Sequence, residues 1–347
     1  MSDVSQGAAN GRPTVYDVAR VAGVSIKTVS RVVNQSPGVS AKTRRLVLDV
    51  VRDLGYVANA AARSLVTGSS TTIGVIVDSI ADPFFASLVS VVEVDALAEG
   101  FSTQVASTWR DPRRERAQVL RMTRENVRGL LLAPTMGEHD YFAAALGEIP
   151  AVLVDRGWPG SGLDTVGVQD RADARAAIEQ LLSLGHRRIA FLGDFSELTT
   201  TVNRREGYCD ALRAAGVPVV AELVRSCLSV DDPGGTAVAE LLALPEPPTA
   251  LFSSNARTSL GVVRALHRTG RTDIALISFG DFDLADALLP GVTVVDHDPA
   301  RIAAAAVDRL LARIRGDPLV PAEILLPTSL VKRGSGELPC DRSRGRC

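Results

Sequence analysis

The sequence predicts a small all-α head of helix-turn-helix type followed by a two-lobed core of doubly wound parallel α/β sheets. Three observations predict it. Residues 13–66 carry short helical patterns with cap signals and no strand run, whereas from Thr71 onward short β-branched runs alternate with longer amphipathic helical patterns. The strand runs are almost wholly apolar, as in parallel sheets covered by helices on both faces. About 260 residues of this texture exceed one small sheet, so two similar lobes around a cleft is the economical arrangement.

The strand runs are Ile73–Val77, Thr103–Ser107, Gly129–Leu132, Ala151–Val154, Arg188–Leu192, Ala250–Ser253 and Ile274–Ser278. Helical stretches lie between them, such as Phe84–Glu99, Arg113–Asn126, Ala172–Leu184, Arg204–Ala215, Thr236–Leu244 and Thr258–Arg268. Gly100, Gly185, Gly216 and Gly270 stop several of these, as helix C-termini prefer. The expected organisation is a disordered tail over 1–12, a helix-turn-helix head over 13–58 and a hinge and linker over 59–70. A core over 71–333 and a second disordered tail over 334–347 complete it, both tails being small, polar and aperiodic.

A chain of 347 residues with 46% hydrophobic and 22% charged content can bury a sizeable core. Its net charge of −2 hides an asymmetry. From Arg12 to Gly68 nine Lys or Arg stand against three Asp or Glu, a local +6, which leaves −8 for the remainder. A basic head on an acidic body suits a phosphate-contacting module attached to something that avoids DNA. Cys209, Cys227, Cys340 and Cys347 form no C-x-x-C pair and no metal-like spacing with the four histidines, so they read as reduced thiols with no metal site and no cofactor. The first residues lack a charged stretch followed by an apolar one, and no run of about 18 apolar residues occurs. The expected location is therefore the cytoplasm, at the nucleoid.

In the head, Thr14 caps a helix that stops at Gly23, Ser25 caps a second from Ile26 to Asn34, and Ser40 caps a third that Gly55 closes. Two short helices across a glycine turn make a helix-turn-helix. Val29, Val32 and Val33 can pack inward, while Lys27, Ser30, Arg31 and Asn34 share the opposite face at i, i+3/i+4 spacing. Such a face suits phosphates and base edges in a major groove, with arginine the usual reader of guanine.

TVYDVARVAGVSIKTVSRVVN (14–34) and VSAKTRRLVLDVVRDLGYVANAAARSL (39–65) closely resemble the head and hinge of the lactose-repressor (LacI/GalR) family. The match is long and ordered, and therefore specific. By that resemblance Ile26, Lys27 and Arg31 take base-reading positions, and Tyr16, Thr28, Ser30, Asn34, Ser40 and Tyr56 take phosphate positions. Asn59 to Val66 matches the family's hinge helix, with Leu65 as a minor-groove wedge and Ala62 and Arg63 beside it. An apolar wedge unstacks a base step and kinks the duplex, and the added contact offsets that cost. A helix of about eight residues is unstable alone, so its folding depends on a dimer on DNA.

The resemblance continues to about Arg333 through TTIGVIVDSIADPFFASLV, RGLLLAP, IPAVLVDR, LLSLGHRRIAFLGD, NRREGYCDALRAAG and PTALFSSN. It implies a core like the periplasmic sugar-binding proteins, with an effector in the cleft. Ligands in such lobes sit at the carboxyl ends of strands. Phe84 or Phe85 could stack on a ring, Asp155 could accept from hydroxyls, Arg204 or Arg205 could clamp an oxygen-rich group, and Asn255 ends a strand. Trp158 offers another stacking surface. The chain departs from the family in two places. It has Asn255-Ala256 where Asn-Asp is common, and Ser278-Phe279-Gly280-Asp281 where Gly-Phe-Asp-Asp is common. The usual acidic residue is thus glycine unless Asp281 has shifted to replace it, which points to a less polar or anionic effector, or to a pocket that has lost its ligand.

No G-x-S-x-G, H-E-x-x-H or G-x-x-x-x-G-K-[ST] pattern occurs, and His186 reads as structural, so the chain is expected not to be an enzyme. A solute-binding protein for transport would need an export signal and would not use a basic head. The resemblance implies a sequence-specific repressor, dimeric, on a pseudo-palindromic operator, with a small-molecule effector of sugar or sugar-derivative type. An activator or a corepressor-dependent regulator has the same sequence signature, because the sign of coupling depends on which lobe arrangement the ligand prefers. No C-terminal heptad segment is present, so a dimer is expected. Changing Leu65 to Ala is expected to weaken specific binding more than non-specific binding in gel shifts with operator and scrambled DNA. Equal losses contradict the wedge.

Overall fold

Helix starts in this chain are written by side chains that accept from their own first turn. Thr14 and Asp17 exchange bonds in a capping box, Ser25 accepts from Thr28 N, and Ser40 accepts from Thr43 N. Asp-Pro pairs open three further helices: Asp82-Pro83, Asp111-Pro112 and Asp298-Pro299 each place the carboxylate at the cap and proline in the first turn.

The computed structural model describes residues 13–33, 37–56, 70–227, 232–318 and 320–340. They form two compact units divided between Ser70 and Thr71. The first unit contains α1 (Val15–Ala22), α2 (Ile26–Val33) and α3 (Ala41–Leu54). Val18, Ala19, Ala22, Val29, Val32, Val47 and Val50 are its buried core, and Gly23 and Gly55 end α1 and α3 in the left-handed conformation that lacks a penalty only for glycine.

The second unit holds two six-stranded sheets. The first sheet is ordered β11-β5-β4-β3-β1-β2, from β1 (Thr72–Val77), β2 (Ser102–Ser107), β3 (Gly129–Leu132), β4 (Ala151–Asp155), β5 (Asp164–Val168) and β11 (Glu323–Leu326). The second is ordered β12-β10-β9-β8-β6-β7, from β6 (Ile189–Gly193), β7 (Val224–Ser226), β8 (Ala250–Ser253), β9 (Ala275–Phe279), β10 (Thr293–Asp296) and β12 (Ser329–Val331). All pairings are parallel except β10 with β12. The seven expected strands are present within a residue or two. The other five are short, and β7, β11 and β12 lie at sheet edges, where a continuous apolar run is not required.

The covering helices are α4 (Pro83–Ala98), α5 (Pro112–Arg124), α6 (Tyr141–Leu146), α7 (Asp170–Ser183), α8 (Thr199–Ala214), α9 (Gly235–Leu242), α10 (Ala256–Arg268) and α11 (Pro299–Arg315). The chain crosses between sheets after β5, after β10 and after β11. The lobes are therefore each assembled from discontinuous segments, and three crossings form the hinge.

Two expectations are corrected. The chain from Gly334 to Cys340 is not a loose tail: Ser335 Oγ donates to Leu276 O, Thr293 N donates to Ser335 Oγ, and Cys340 N donates to Leu184 O. The segment satisfies backbone groups beside β9 and β10 that would otherwise be buried unpaired. The thiols are not uniformly reduced: Cys209 and Cys227 are free, whereas Cys340 is disulfide-bonded. His186 is buried with Nδ1 against Thr249 Oγ1 and Nε2 against Leu338 O, and burial holds its pKa below the usual value. No helix among the described residues is long and apolar enough to cross a membrane.

In the second lobe α7 and α8 cross closely at a glycine. A Cβ at Gly207 would stand 2.2 Å from Arg171 O and 3.0 Å from Arg175 N. Gly207→Ala is expected to lower stability by about 1–3 kcal/mol through forced separation of the helices. An unchanged urea midpoint contradicts this packing.

Candidate functional site

Both sheets point strand carboxyl ends at the space between the lobes, and the residues just past those ends build the site. Asp78 follows β1, Arg110 lies three residues past β2, Asp155 and Arg156 end β4, and Asp194 follows β6. Phe279 ends β9 and His297 follows β10. With Asp82, Phe84, Phe85, Leu198, Thr200, Thr201, Arg204, Asn255 and Ala256 they enclose a cavity of ≈ 40 Å³.

Buried arginines dominate it. Arg156 donates to Pro134 O (2.6 Å), to Asp155 Oδ2 (2.5 Å) and to Asp78 Oδ1 (2.6 Å), tying together the ends of β1, β3 and β4. Those carboxylates raise its pKa against the opposing effect of burial. Arg204 donates to Asp170 Oδ1 (2.7 Å) and to Ser254 O, and its guanidinium lies 3.8 Å from the Phe279 ring centroid. Arg110 bridges the lobes, with nitrogens 3.3 Å from Asp78, 3.7 Å from Asp82 and 2.9 Å from Asp194. Burial pushes the carboxyl groups of Asp82 and Asp170 up to about 6.

Phe84 stacks on His297 with centroids 4.6 Å apart and planes 8° apart, and packs edge-on against Phe85. A Cβ at Gly280, where φ is +92°, would stand 2.9 Å from His297 Cε1. His297 therefore closes in on the place where the family's acidic side chain would extend. A second cavity of ≈ 380 Å³ adjoins Asp155 and Arg156 on their other side, and is lined by Trp158, Thr165, Thr199 and Asn203 among others. There Trp158 stacks on His139 at 4.1 Å.

Phe84, Phe85, Asp155, Arg204 and Asn255 are thus gathered in one cavity, as the sequence suggests. Asn255 also caps α10 by accepting from Thr258 N. Arg205 is exposed and lies outside. Asp281 is a correction: it does not line the cavity, because Arg333 holds both its oxygens at 2.7 and 2.6 Å. Sequence reasoning missed Asp78, Arg110, Arg156, Asp194 and His297. Their position just past strand carboxyl ends was the available signal.

In the head, Tyr16, Ile26, Lys27, Arg31 and Ser40 are exposed, while Thr28, Ser30 and Tyr56 are half-buried. Thr28 and Ser40 spend their hydroxyls on partners within their own helix starts, Ser25 and Thr43, and Tyr56 packs against the valine core. Asn34, Asn59, Ala62, Arg63 and Leu65 lie outside the described residues. Among the described residues no cluster of three or more His, Cys, Asp or Glu is placed to hold a metal ion.

A helix-turn-helix head followed by a two-lobed α/β core with a charged inter-lobe cavity defines a ligand-responsive DNA-binding protein. The family described as bacterial regulatory proteins, lacI family, matches residues 14–59, and a periplasmic binding protein-like domain matches residues 178–336. The transcriptional regulator DegA of Bacillus subtilis is 31% identical over 332 residues, covering 93% of this chain and 98% of its own. GalR of Escherichia coli is 30% identical, covering 94% and 96%. The lac repressor dimer bound to operator and the anti-inducer ONPF superposes with a TM-score of 0.81 at 29% identity, over 94% of this chain and 99% of that one. A CelR–cellobiose complex superposes at 0.69 with 30% identity, over 93% and 100%. The chain belongs to the lacI family of transcriptional regulators.

Burial also holds the His297 imidazole down, from 6.5 to about 3, with the Arg204 charge adding to the effect. Its folded value lies below the unfolded one, so the neutral ring's contribution is complete above about pH 6.5 and is lost as pH falls toward the folded value. His297→Gln is expected to lose about 2 kcal/mol less stability than the parent between about pH 7 and about pH 5. Equal losses in paired urea titrations contradict this.

Proposed function

We propose that this chain is a repressor that binds a pseudo-palindromic operator as a homodimer and is switched by a small-molecule effector in the inter-lobe cleft. The observation that carries the reading is the buried Asp–Arg–aromatic constellation at the carboxyl ends of strands from both lobes. A ligand contacting both lobes has different affinities for their open and closed arrangements, and such a difference is what shifts a two-state equilibrium.

The head supplies the output. Lys27 and Arg31 lie exposed on the outer side of α2, Val29 and Val32 fix that helix to the core, and Ile26 stands exposed at its start. In our reading Ile26, Lys27 and Arg31 contact bases. Tyr16, Thr28, Ser30, Asn34, Ser40 and Tyr56 contact phosphates. Asn59, Ala62, Arg63 and Leu65 belong to a hinge that enters the minor groove.

The relatives' cellobiose complex supports an oxygen-rich effector such as a sugar or sugar derivative here, held by Phe84, Phe85, Asp155, Arg204 and Asn255. Pairing of two chains is supported by α4. That helix buries Phe84, Phe85, Leu88, Val92 and Ala96, yet leaves Val94 64% and Leu97 70% exposed on its other side. The reading is non-enzymatic and places the protein's action at DNA in the cytoplasm, in keeping with relatives that are transcriptional regulators.

Fluorescence anisotropy against DNA upstream of the protein's own gene, with a salt titration and random competitor, tests this. Binding that survives competitor and falls with salt is expected, with half-sites about 10 bp apart. Arg31→Ala is expected to cost about 1–3 kcal/mol and to relax sequence preference at one position. Unchanged preference removes the role given to Arg31.

A further inference from the structure

The cleft cavity of ≈ 40 Å³ is far below the 300–1,000 Å³ of ordinary ligand sites. A ligand that enters this cavity, and not only the adjoining one of ≈ 380 Å³, must displace something. Two of the three arginines are firmly held. Arg156 makes three hydrogen bonds, and Arg204 makes two and packs on Phe279.

Arg110 differs. It is held by ion pairs to Asp78, Asp82 and Asp194, and its buried Nε, 3.3 Å from Asp78, makes an ion pair there without hydrogen-bond geometry. Its backbone is strained as well: Trp109 and Arg110 are consecutive non-glycine residues with φ of +56° and +61°. Trp109 is half-exposed, so the outer side of this loop faces solvent. Among the described residues, Arg110 is thus the one cleft arginine held by ion pairs and the Phe195 ring without a side-chain hydrogen bond.

Its departure has a definite electrostatic consequence. Asp78 and Asp155 remain paired with Arg156, and Asp170 with Arg204. Asp82 and Asp194 have no other ion-pair partner among the described residues. Two buried carboxyl groups would then lose their only ion-pair partner, and each must gain another cation or take up a proton. A neutral sugar supplies hydrogen bonds to them but no compensating charge.

The remaining lining is aromatic and already self-stacked, Phe84 on His297 and Phe279 under Arg204. Phe84 and Phe279 flank the space, and His297, 6% exposed, lines the cavity with an Nδ1 that has no hydrogen-bond partner. Glycine at 280 removes a carboxylate from that side, so the unmatched negative charge lies on the Asp82–Asp194 side.

The geometry points to Arg110 as a built-in occupant of a cation subsite, and to an effector whose ammonium or guanidinium group replaces it between Asp82 and Asp194. This deepens the reading of the cleft as the effector site and rests on it. The ligand class is an amine- or guanidine-bearing small molecule, an amino sugar being one that also fits the oxygen-rich contacts.

The test is chemical rescue. Arg110→Gly empties the subsite and relieves the left-handed backbone at the cost of the Asp82 and Asp194 ion pairs, and its cooperative melting transition shows whether it folds. Arg110→Gln, which fills the volume without the charge, is a second variant should the first fail to fold. Methylguanidinium chloride, at about ten times its dissociation constant, is expected to raise the melting temperature of the Gly variant by about 2 °C over the same concentration of KCl. The added substitution Asp194→Asn is expected to weaken that binding at least about tenfold, since it removes the 2.9 Å partner. Arg110→Gln is expected to respond in the same direction but more weakly. Operator affinity is measured in the same samples, and the parent chain is titrated with D-glucosamine and D-glucose, a pair differing by one cationic group.

Rescue by methylguanidinium with a matching change in operator affinity supports the subsite and the cleft together. Rescue without any effect on DNA binding keeps the cation subsite but overturns the cleft as the effector site. Absence of rescue in both variants overturns the cation proposal. If, in addition, a neutral sugar shifts operator affinity, the effector cleft survives without it.

Discussion

The core is organised around a guanidinium that has almost no access to water. Arg156 holds Asp78, Asp155 and the Pro134 carbonyl, so one side chain fixes the ends of three adjacent strands in the first sheet. Removing the guanidinium leaves Asp155 without its ion pair in a nearly water-free site, which is far costlier than losing an exposed pair. The arrangement sets the floor of the cleft. Around it, Arg204 anchors the start of α7 to α8, and Arg110 reaches from the first lobe to Asp194 in the second.

These pairings explain the division of labour between head and core. The head is small, with a valine-rich core, and its outer helix face carries Lys27 and Arg31 in solvent. It needs little internal chemistry. The core carries many buried ionisable groups, and the cleft carboxylates Asp78, Asp82, Asp155, Asp170 and Asp194 are each kept tolerable by a specific arginine. Such networks have few satisfactory arrangements, so a ligand that replaces one partner favours one lobe geometry over another.

Much of the fold was legible because it is encoded locally. Thr14, Ser25 and Ser40 precede their helices by one residue, Gly23 and Gly55 follow theirs, and strands such as Gly129–Leu132 are continuous apolar runs. The Asp-Pro pair at 298–299 was an equally readable start for α11. The short strands carried too few residues for a pattern. Within the site, Phe84, Asp155, Arg204 and Asn255 were legible from strand ends and resemblance. Asp78 and Arg156 were not, because their meaning arises from a contact 78 residues apart in the chain. Asp281 misled for the same reason: its partner Arg333 lies 52 residues away and removes it from the cavity.

The central claim is that the cleft governs the head through the lobes. Operator affinity of Arg204→Gln, measured by anisotropy beside the parent chain, tests it most directly. That change lies in the core and leaves every residue of the head intact. The account predicts a shift of about 5- to 150-fold in specific operator affinity, the usual range of allosteric coupling, with binding to random DNA unchanged. A folded variant with unaltered specific affinity would contradict it.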